Sequence, residues 1–105
     1  MAASYVPDAG DIVWLQFDPQ AGQRPAVVLS PASYNGSVGM IVCCPTTTRI
    51  KGYPFEVALA STPVSVVLAD QVKSQDWRIG KATRKGQVTA AELAEVQAKL
   101  RALIG

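Results

Sequence analysis

The first two thirds of the chain consist of short apolar runs separated by glycine, proline and polar residues, a pattern typical of β-strands joined by turns. Residues 11–17 are rich in Ile, Val, Trp and Phe and predict a first strand. The near-continuous apolar runs at 25–29 and 40–44 predict buried, antiparallel neighbours. Residues 55–59 alternate between apolar and polar side chains and predict a half-buried strand.

The last third of the chain changes from strands to a helix. An apolar run begins at Val64, but polar residues enter it from Asp70 onward, so we expect its second half to face water or a partner. Thr89 and Glu92 have the spacing of a capping box, which predicts the start of a terminal helix. We therefore expect one mainly β domain over residues 1–105, a small barrel or strongly bent sheet with a C-terminal helix. Apolar residues with helical spacing should pack that helix on the sheet: Leu93, Val96, Leu100, Leu103 and Ile104.

Hydropathy and the first residues bear on where the protein resides. No apolar run approaches the roughly 20 residues that a membrane-spanning helix requires. Residues 1–8 have neither the positive start nor the apolar core of a secretory signal. We expect a cytoplasmic protein without membrane association.

The two cysteines, Cys43 and Cys44, are adjacent in a strand-like apolar run. Successive side chains of a strand point to opposite faces, so a disulfide between these neighbours is geometrically poor. Two thiols in a chain without histidine cannot supply the four ligands of a zinc site. We expect both cysteines to be buried and free, and we predict no metal and no cofactor.

The net charge of +2 conceals an uneven distribution. Residues 1–48 carry −2, residues 49–85 carry +4, and residues 86–105 are neutral. A positive middle segment can bind phosphates, because cationic clusters supply the sequence-independent part of nucleic-acid affinity. Ordinary solvated charge explains the same excess equally well.

The absence of histidine restricts the chemistry that the chain can perform. A serine or cysteine nucleophile that depends on a histidine base is excluded. RNA carries its own nucleophile in the 2′-hydroxyl, so fixed donors that stabilise charge on the adjacent phosphate can suffice. Arg24, just before the run at 25–29, and Thr47, just after the run at 40–44, are chemically suited to that role.

Purely structural interpretations of the same residues stay open at this point. Arg24 could be a surface residue paired with Asp18, and the threonines at 46–48 could form a β-favouring turn. Spacing alone favours these interpretations. Trp14 is more typical of a core residue than of a base-stacking platform, whereas Trp77 lies among polar and basic residues that suit either role.

Six segments, in one order, give the chain a close resemblance to the MazF/PemK family of toxin endoribonucleases. They are Tyr-Val-Pro-Asp at 5–8, Gly-Asp at 10–11, Phe-Asp-Pro at 17–19, Arg-Pro-Ala-Val-Val-Leu-Ser-Pro at 24–31, Lys-Gly-Tyr-Pro-Phe-Glu-Val at 51–57 and Ala-Asp-Gln-Val-Lys-Ser at 69–74. The resemblance extends over nearly everything from Tyr5 to Gly105 and is far more specific than a threonine run alone. It implies an SH3-like small barrel with a terminal helix.

The same resemblance implies that the protein is the toxin of a type II toxin–antitoxin system. Such a toxin is a homodimer that cleaves single-stranded mRNA without a metal ion, and a cognate, MazE-like antitoxin neutralises it. The products in such enzymes are typically a 2′,3′-cyclic phosphate and a 5′-hydroxyl, and the loss of mRNA stops translation. An arginine before one strand and a threonine after the next are catalytic in the family, and by position these are Arg24 and Thr47. The expected RNA contacts flank that pair: Phe17, Gln23, Thr46, Thr48, Lys51, Gln71, Lys73 and Trp77.

The chain departs from the family pattern close to the predicted site. Its first loop, residues 18–24, is shorter than usual and lacks a carboxylate that is often present there. Gln23 and Thr46 stand where close relatives can carry histidine and cysteine. These differences bear on which bases are read and on how the antitoxin is contacted.

The main alternative is a non-enzymatic toxin of similar fold, resembling the CcdB gyrase inhibitors. Those proteins end in Trp-Gly-Ile, whereas residues 102–105 here are Ala-Leu-Ile-Gly and Arg24 and Thr47 are present. A third possibility is an inactive barrel that binds RNA without cutting it.

Overall fold

The structure of the chain is a computed structural model that describes residues 5–18, 22–60 and 64–105, except for the side chains of Phe17 and Asp18. Strands, two α-helices and a short 3₁₀ turn follow one another along these residues. Their order is β1 (Asp11–Asp18), β2 (Gly22–Val28), α1 (Ala32–Val38), β3 (Met40–Thr47), β4 (Glu56–Leu59), β5 (Ser65–Leu68), the 3₁₀ turn (Ala69–Gln71), β6 (Lys73–Asp76), β7 (Thr83–Gln87) and α2 (Ala90–Ile104).

The seven described strands form one curled antiparallel sheet in the order β4-β5-β3-β2-β1-β7, with β6 beside β3. One edge of β3 changes partner along its length, because Cys43 pairs with Lys73 of β6 and Thr46 pairs with Val67 of β5. The other edge of β3 pairs antiparallel with β2, where Val27 faces Cys44. The sheet therefore closes into half a barrel, which confirms the mainly β prediction and the pairing of the two apolar runs.

The central strands are apolar on both faces because each face covers a different part of the core. One cluster contains Val27 and Cys44, and the other contains Val28 and Cys43. The adjacent cysteines thus point to opposite faces and are free and buried, as predicted. Burial raises the pKa of Cys43 to about 12 and that of Cys44 to about 11, so both thiols stay protonated at neutral pH.

Helix α2 begins at the predicted capping box. The Glu92 amide donates to the Thr89 hydroxyl at 3.1 Å, and the Thr89 amide donates to the Glu92 carboxylate at 2.8 Å. Val96 is fully buried, but Leu103 is 46% and Ile104 is 71% exposed. The prediction that the whole apolar stripe packs on the sheet is wrong for these two residues, because periodicity shows which residues share a face but not how far the opposing surface extends.

Three described elements lack an apolar signature and were not expected. Helix α1 lies between the runs at 25–29 and 40–44, where glycine, proline and asparagine predict turns. Its Asn35 side chain donates to the carbonyls of Pro7 and Ser30 at 2.7 and 2.9 Å. Strands β6 and β7 are mostly polar and are held by backbone pairing with β3 and β1. Within the described ranges, neither helix is long and apolar enough to cross a membrane.

Candidate active site

Two adjoining clefts open where β2 and β3 leave the core. The first cleft has a volume of about 330 Å³ and the second about 300 Å³. Both are lined by Arg24, Thr46 and Thr47, which we call the shared wall. The first cleft is also lined by Trp14, Pro25, Thr48, Ser65 and Lys85, and the second by Pro45, Arg49, Lys51, Tyr53, Glu56, Leu68, Asp70 and Gln71.

Arg24 is held by a strand whose burial increases along its length. Gly22, Gln23 and Arg24 are exposed, whereas residues 26–28 are fully buried, so the core fixes the backbone that carries the guanidinium. Within the described residues this guanidinium has neither a hydrogen bond nor an ion pair. Its donors are therefore available to an anion, and arginine presents them in a planar fork that matches phosphate oxygens.

Thr46 and Thr47 both lie on β3, which extends further than the predicted run at 40–44. The Thr46 hydroxyl donates to the carbonyl of Pro25 at 3.4 Å, across the β2–β3 pair. The Thr47 hydroxyl instead accepts a hydrogen bond from the Arg49 amide at 3.1 Å. A hydroxyl has one donor and two acceptor positions, so Thr47 keeps its proton available for a ligand.

The loop that borders the second cleft is tied to Glu56. The amides of Lys51 and Gly52 donate to its carboxylate at 3.1 and 2.9 Å. Lys51 Nζ lies 5.7 Å from the centre of the Tyr53 ring, and Lys99 of α2 donates to the carbonyl of Pro54. These contacts position two exposed side chains, an ammonium and a phenol ring, at the mouth of the cleft.

The charges in the two clefts differ. Three cations, Arg24, Arg49 and Lys51, and two carboxylates, Glu56 and Asp70, line the second cleft. The first cleft has Arg24 and Lys85, and its described lining contains no carboxylate. Both clefts thus carry excess positive charge next to the shared wall, as an anionic ligand requires.

The structure brings most of the predicted site residues together. Thr48 lines the first cleft, Lys51 and Gln71 line the second, and the remaining three form the shared wall: Arg24, Thr46 and Thr47.

Four predicted RNA contacts lie elsewhere or outside the description. Gln23 is exposed beside Arg24 and Lys73 is exposed on β6, but neither lines a cleft. Trp77 packs in the core at 8% exposure, and its indole N–H donates to the carbonyl of Asn35 at 2.8 Å. The side chain of Phe17 and residues 19–21 of the first loop are outside the described residues.

Several residues that line the clefts are not among the predicted site residues, above all Trp14, Tyr53 and Lys85; Asp70 was noted only as a polar residue that faces water or a partner. A signal existed for Trp14, because Val13 and Leu15 on either side are fully buried and strand alternation then turns Trp14 outward. For Lys85 the signal was the positive charge of residues 49–85, which does not single out one lysine, and β7 is held by backbone pairing rather than by an apolar face.

A metal-binding cluster is not found in the part of the chain that the structure describes. There, no three His, Cys, Asp or Glu side chains are close enough to hold an ion. Most polar groups that line the clefts are hydrogen-bond donors, namely guanidinium, ammonium, hydroxyl and amide groups, and two are carboxylates.

Comparisons with known proteins agree with this geometry. A family model described as "PemK-like, MazF-like toxin of type II toxin-antitoxin system" matches residues 8–104. Endoribonuclease toxin MazF of Escherichia coli strain K12 is 54% identical over 111 aligned residues, and the alignment covers 100% of both chains. A crystal structure of MazF from Deinococcus radiodurans superposes with a TM-score of 0.90 at 52% identity, covering 97% of this chain and 99% of that one. A MazE–MazF crystal structure from the same organism gives the same TM-score and identity, covering 97% of this chain and 98% of that one.

The resemblance carried by the six sequence segments is therefore confirmed over almost the whole chain. The CcdB-like alternative is not favoured, because the family model and these relatives are of the MazF type. The chain belongs to the PemK-like, MazF-like family of toxins of type II toxin–antitoxin systems.

Proposed function

We propose that this MazF-like toxin endoribonuclease cuts single-stranded RNA at the shared wall, using the ribose 2′-hydroxyl as nucleophile. The observation that carries the proposal is the pair of available donors in that wall. The Arg24 guanidinium has no partner among the described residues, and the Thr47 hydroxyl accepts from the Arg49 amide while keeping its own proton. Both residues line the two clefts, so we place the phosphate that is cut at the wall which the clefts share.

The reaction is a transesterification within the RNA. The 2′-oxygen forms a bond to the adjacent phosphorus while the bond from phosphorus to the 5′-oxygen breaks, giving a 2′,3′-cyclic phosphate and a 5′-hydroxyl. Negative charge grows on the non-bridging oxygens on the way, and Arg24 and Thr47 donate to them. Fixed donors aimed at developing charge supply a large share of catalysis in such reactions.

The proton of the 2′-hydroxyl needs an acceptor, and the second cleft contains two carboxylates. Glu56 is already engaged by the amides of Lys51 and Gly52. Asp70 has no hydrogen bond or ion pair within the described ranges, so its oxygens are available for the proton. The 5′-oxygen takes up a proton from solvent as it leaves and Asp70 returns its proton to solvent, so protons balance and the reaction consumes no water.

The biological role follows from the same proposal. Cleavage of mRNA stops translation, and a cognate antitoxin prevents it by covering the cationic clefts. The MazE–MazF complexes of the Deinococcus relatives support an antitoxin partner.

We further propose that the protein is a cytoplasmic homodimer in which residues 1–105 act as one domain. Leu103 and Ile104 at the end of α2 are exposed apolar side chains that dimerisation can cover.

The proposal is tested with a long single-stranded transcript in the presence of EDTA. We expect cleavage at short defined sequences, with ends that carry a cyclic phosphate and a 5′-hydroxyl. A strand with one deoxyribose at a mapped cut position should stay intact there while its other sites are cut. Cleavage at the deoxyribose, or activity that appears only with a divalent metal, would contradict the mechanism.

A further inference from the structure

We propose that the first cleft is a nucleoside subsite of the RNA substrate, in which the base next to the cut stacks on Trp14 and Lys85 binds a phosphate. This inference rests on the proposed function and adds a binding site to it. Neither residue belongs to the expected RNA contacts, and both line the first cleft, whereas Lys51 and Gln71 line the second.

Trp14 provides a rigid aromatic surface at the cleft. Its backbone pairs with Pro25 of β2 on one side and Thr83 of β7 on the other, so the strand is held at both edges. Its side chain is 36% exposed, whereas Val13 and Leu15 beside it are fully buried. Every nucleobase has a π-face, so an indole of this kind binds bases with little sequence preference.

Lys85 supplies the cation of the subsite. Its Nζ lies 5.5 Å from the centre of the Trp14 ring and makes no hydrogen bond or ion pair within the described residues. The preceding residue, Arg84, is instead directed to Asp11, with Nε 3.8 Å from a carboxylate oxygen. No described carboxylate lines the first cleft, so the ammonium of Lys85 is available to a phosphate.

The position of the shared wall links this subsite to the cut. A phosphate bound by Arg24 and Thr47 lies between the two clefts, so the nucleosides on its two sides enter one cleft each. The nucleoside in the first cleft meets an indole face and an ammonium group. The cleft volume of about 330 Å³ is at the lower end of the range for small-molecule sites, which fits one nucleoside.

The first test measures binding without cleavage. The probe is an oligoribonucleotide with deoxyribose at the mapped cut position, and the signal is tryptophan fluorescence. Stacking should quench Trp14, whereas buried Trp77 should contribute a constant background. Trp14→Phe should abolish the change, and Tyr34→Ala, which removes an exposed aromatic ring outside both clefts, should keep it. A quench that persists in Trp14→Phe would overturn the subsite.

The second test removes one base at a time from a cleavable strand. An abasic ribose on one side of the cut should slow the wild type by about 5- to 150-fold, the range of base stacking on aromatic residues. Trp14→Ala should cut the intact strand more slowly and lose nothing further at that abasic position. Thermal unfolding of Trp14→Ala and Trp14→Phe checks that each variant is folded. If every abasic position slows Trp14→Ala as much as the wild type, the subsite is wrong.

The third test isolates Lys85. Lys85→Gln should lower the slope of log affinity against log salt concentration by about 0.7, the value of one phosphate contact with a single strand. Lys81→Gln removes an exposed lysine outside both clefts and should leave the slope unchanged. An equal change in both variants would overturn the contact.

Failure of the subsite and failure of the proposed function give different results. If the wild type cuts RNA but fails the three tests, only the subsite is lost. If the wild type cuts no RNA while the same intact transcript still quenches Trp14, the subsite survives and the cleavage proposal is wrong.

Discussion

Two tryptophans, each with a cation over its ring, occupy opposite environments in this molecule. Arg78 lies 5.0 Å from the ring centre of Trp77, and Lys85 Nζ lies 5.5 Å from that of Trp14. Trp77 is 8% exposed, and both it and Arg78 donate hydrogen bonds to carbonyls of α1, at 2.8 and 2.7 Å. Trp14 is 36% exposed, and within the described residues neither its indole N–H nor the Lys85 ammonium has a hydrogen bond.

The difference separates a structural pair from a binding pair of nearly the same composition. Groups that find all their partners inside the molecule contribute to stability and have nothing left to offer a ligand. Groups that stay exposed and unpaired at a cleft contribute little to stability and are available to bind. Glu56 and the Thr46 hydroxyl proton likewise have partners inside the molecule, whereas Asp70 and the Thr47 hydroxyl proton have none among the described residues. Variants of both kinds of residue therefore test the site.

The largest effect on cleavage is expected for Arg24→Ala. Removing the guanidinium should lower the single-turnover rate by about 10³-fold, because one lost donor to the developing charge costs about 10²–10³ and a charged donor lies at the upper end. Urea unfolding should be unchanged, since the group has no partner in the described structure. Arg101→Ala, on α2 outside both clefts, is the matched control. A full residual rate would remove Arg24 from the mechanism.

Substitution of Trp77 should lower stability and leave cleavage by the folded protein unchanged, the reverse of the result expected for Arg24. Trp77→Ala empties a core position and should lower the free energy of unfolding by about 3–5 kcal/mol. Trp77→Phe should cost less, because the Asn35 carbonyl still accepts from the Gly39 amide at 2.9 Å. The cleavage rate per folded molecule of Trp77→Phe should equal that of the wild type. A specific loss of RNA affinity in this variant would restore Trp77 as an RNA contact.

Asp70→Asn should lower the cleavage rate by about 10²-fold, the lower end for a lost general base. The comparison variant is Glu56→Gln, which keeps an acceptor oxygen for the amides of Lys51 and Gly52 and should lose much less. Single-turnover cleavage by both variants should be measured beside the wild type at one pH, with a melting curve to check that each variant is folded. Equal losses in the two variants would argue against Asp70 as the acceptor.

Thr47→Val should lower the cleavage rate by about 10²-fold while the fold is kept, because valine preserves the β-branched shape and removes only the hydroxyl. Thr46→Val should have a smaller effect, since its hydroxyl donates to the Pro25 carbonyl rather than to a ligand. Both variants need the same single-turnover assay and a melting curve. If Thr46→Val proves the more damaging of the two, the assignment of donors in the shared wall is reversed.

The smallest effect concerns stability in acid. Hydrogen bonds from the backbone amides of Thr89 and Ala60 lower the pKa of Glu92, so the folded state is stabilised above the unfolded pKa and loses that contribution as pH falls through the folded one. Glu92→Gln should cost about 1 kcal/mol or less at pH 7. Urea unfolding at pH 7 and pH 3 should show a smaller difference between the two proteins in acid. If the two proteins differ in stability by the same amount at pH 7 and pH 3, Glu92 does not contribute to the pH dependence of stability.

Much of the fold could be predicted because its signals are local. Apolar runs marked β1, β2 and β3, and a three-residue spacing marked the start of α2. Alternation along a strand placed Cys43 and Cys44 on opposite faces. Strands β6 and β7 carried no such signal, because polar strands are specified by their neighbours in the sheet.

The candidate site was predicted in part. Arg24 and Thr47 followed from the family resemblance, and the structure places both in the shared wall. Trp77 was selected for its polar neighbours in sequence, yet its indole N–H bonds to Asn35, 42 residues away. Lys85 was not selected because its contact with Trp14 joins two strands that are distant in sequence.

The amino-acid order was thus sufficient to establish the strands, the terminal helix, the family and the chemical types available at the site, because each depends on residues close together in the chain or on matched segments. Which arginine, threonine, tryptophan or carboxylate keeps a free donor or acceptor was decided by folding alone. The partners that satisfy a polar group come from distant strands and helices, and only their packing determines whether that group is occupied inside the molecule or left for a ligand.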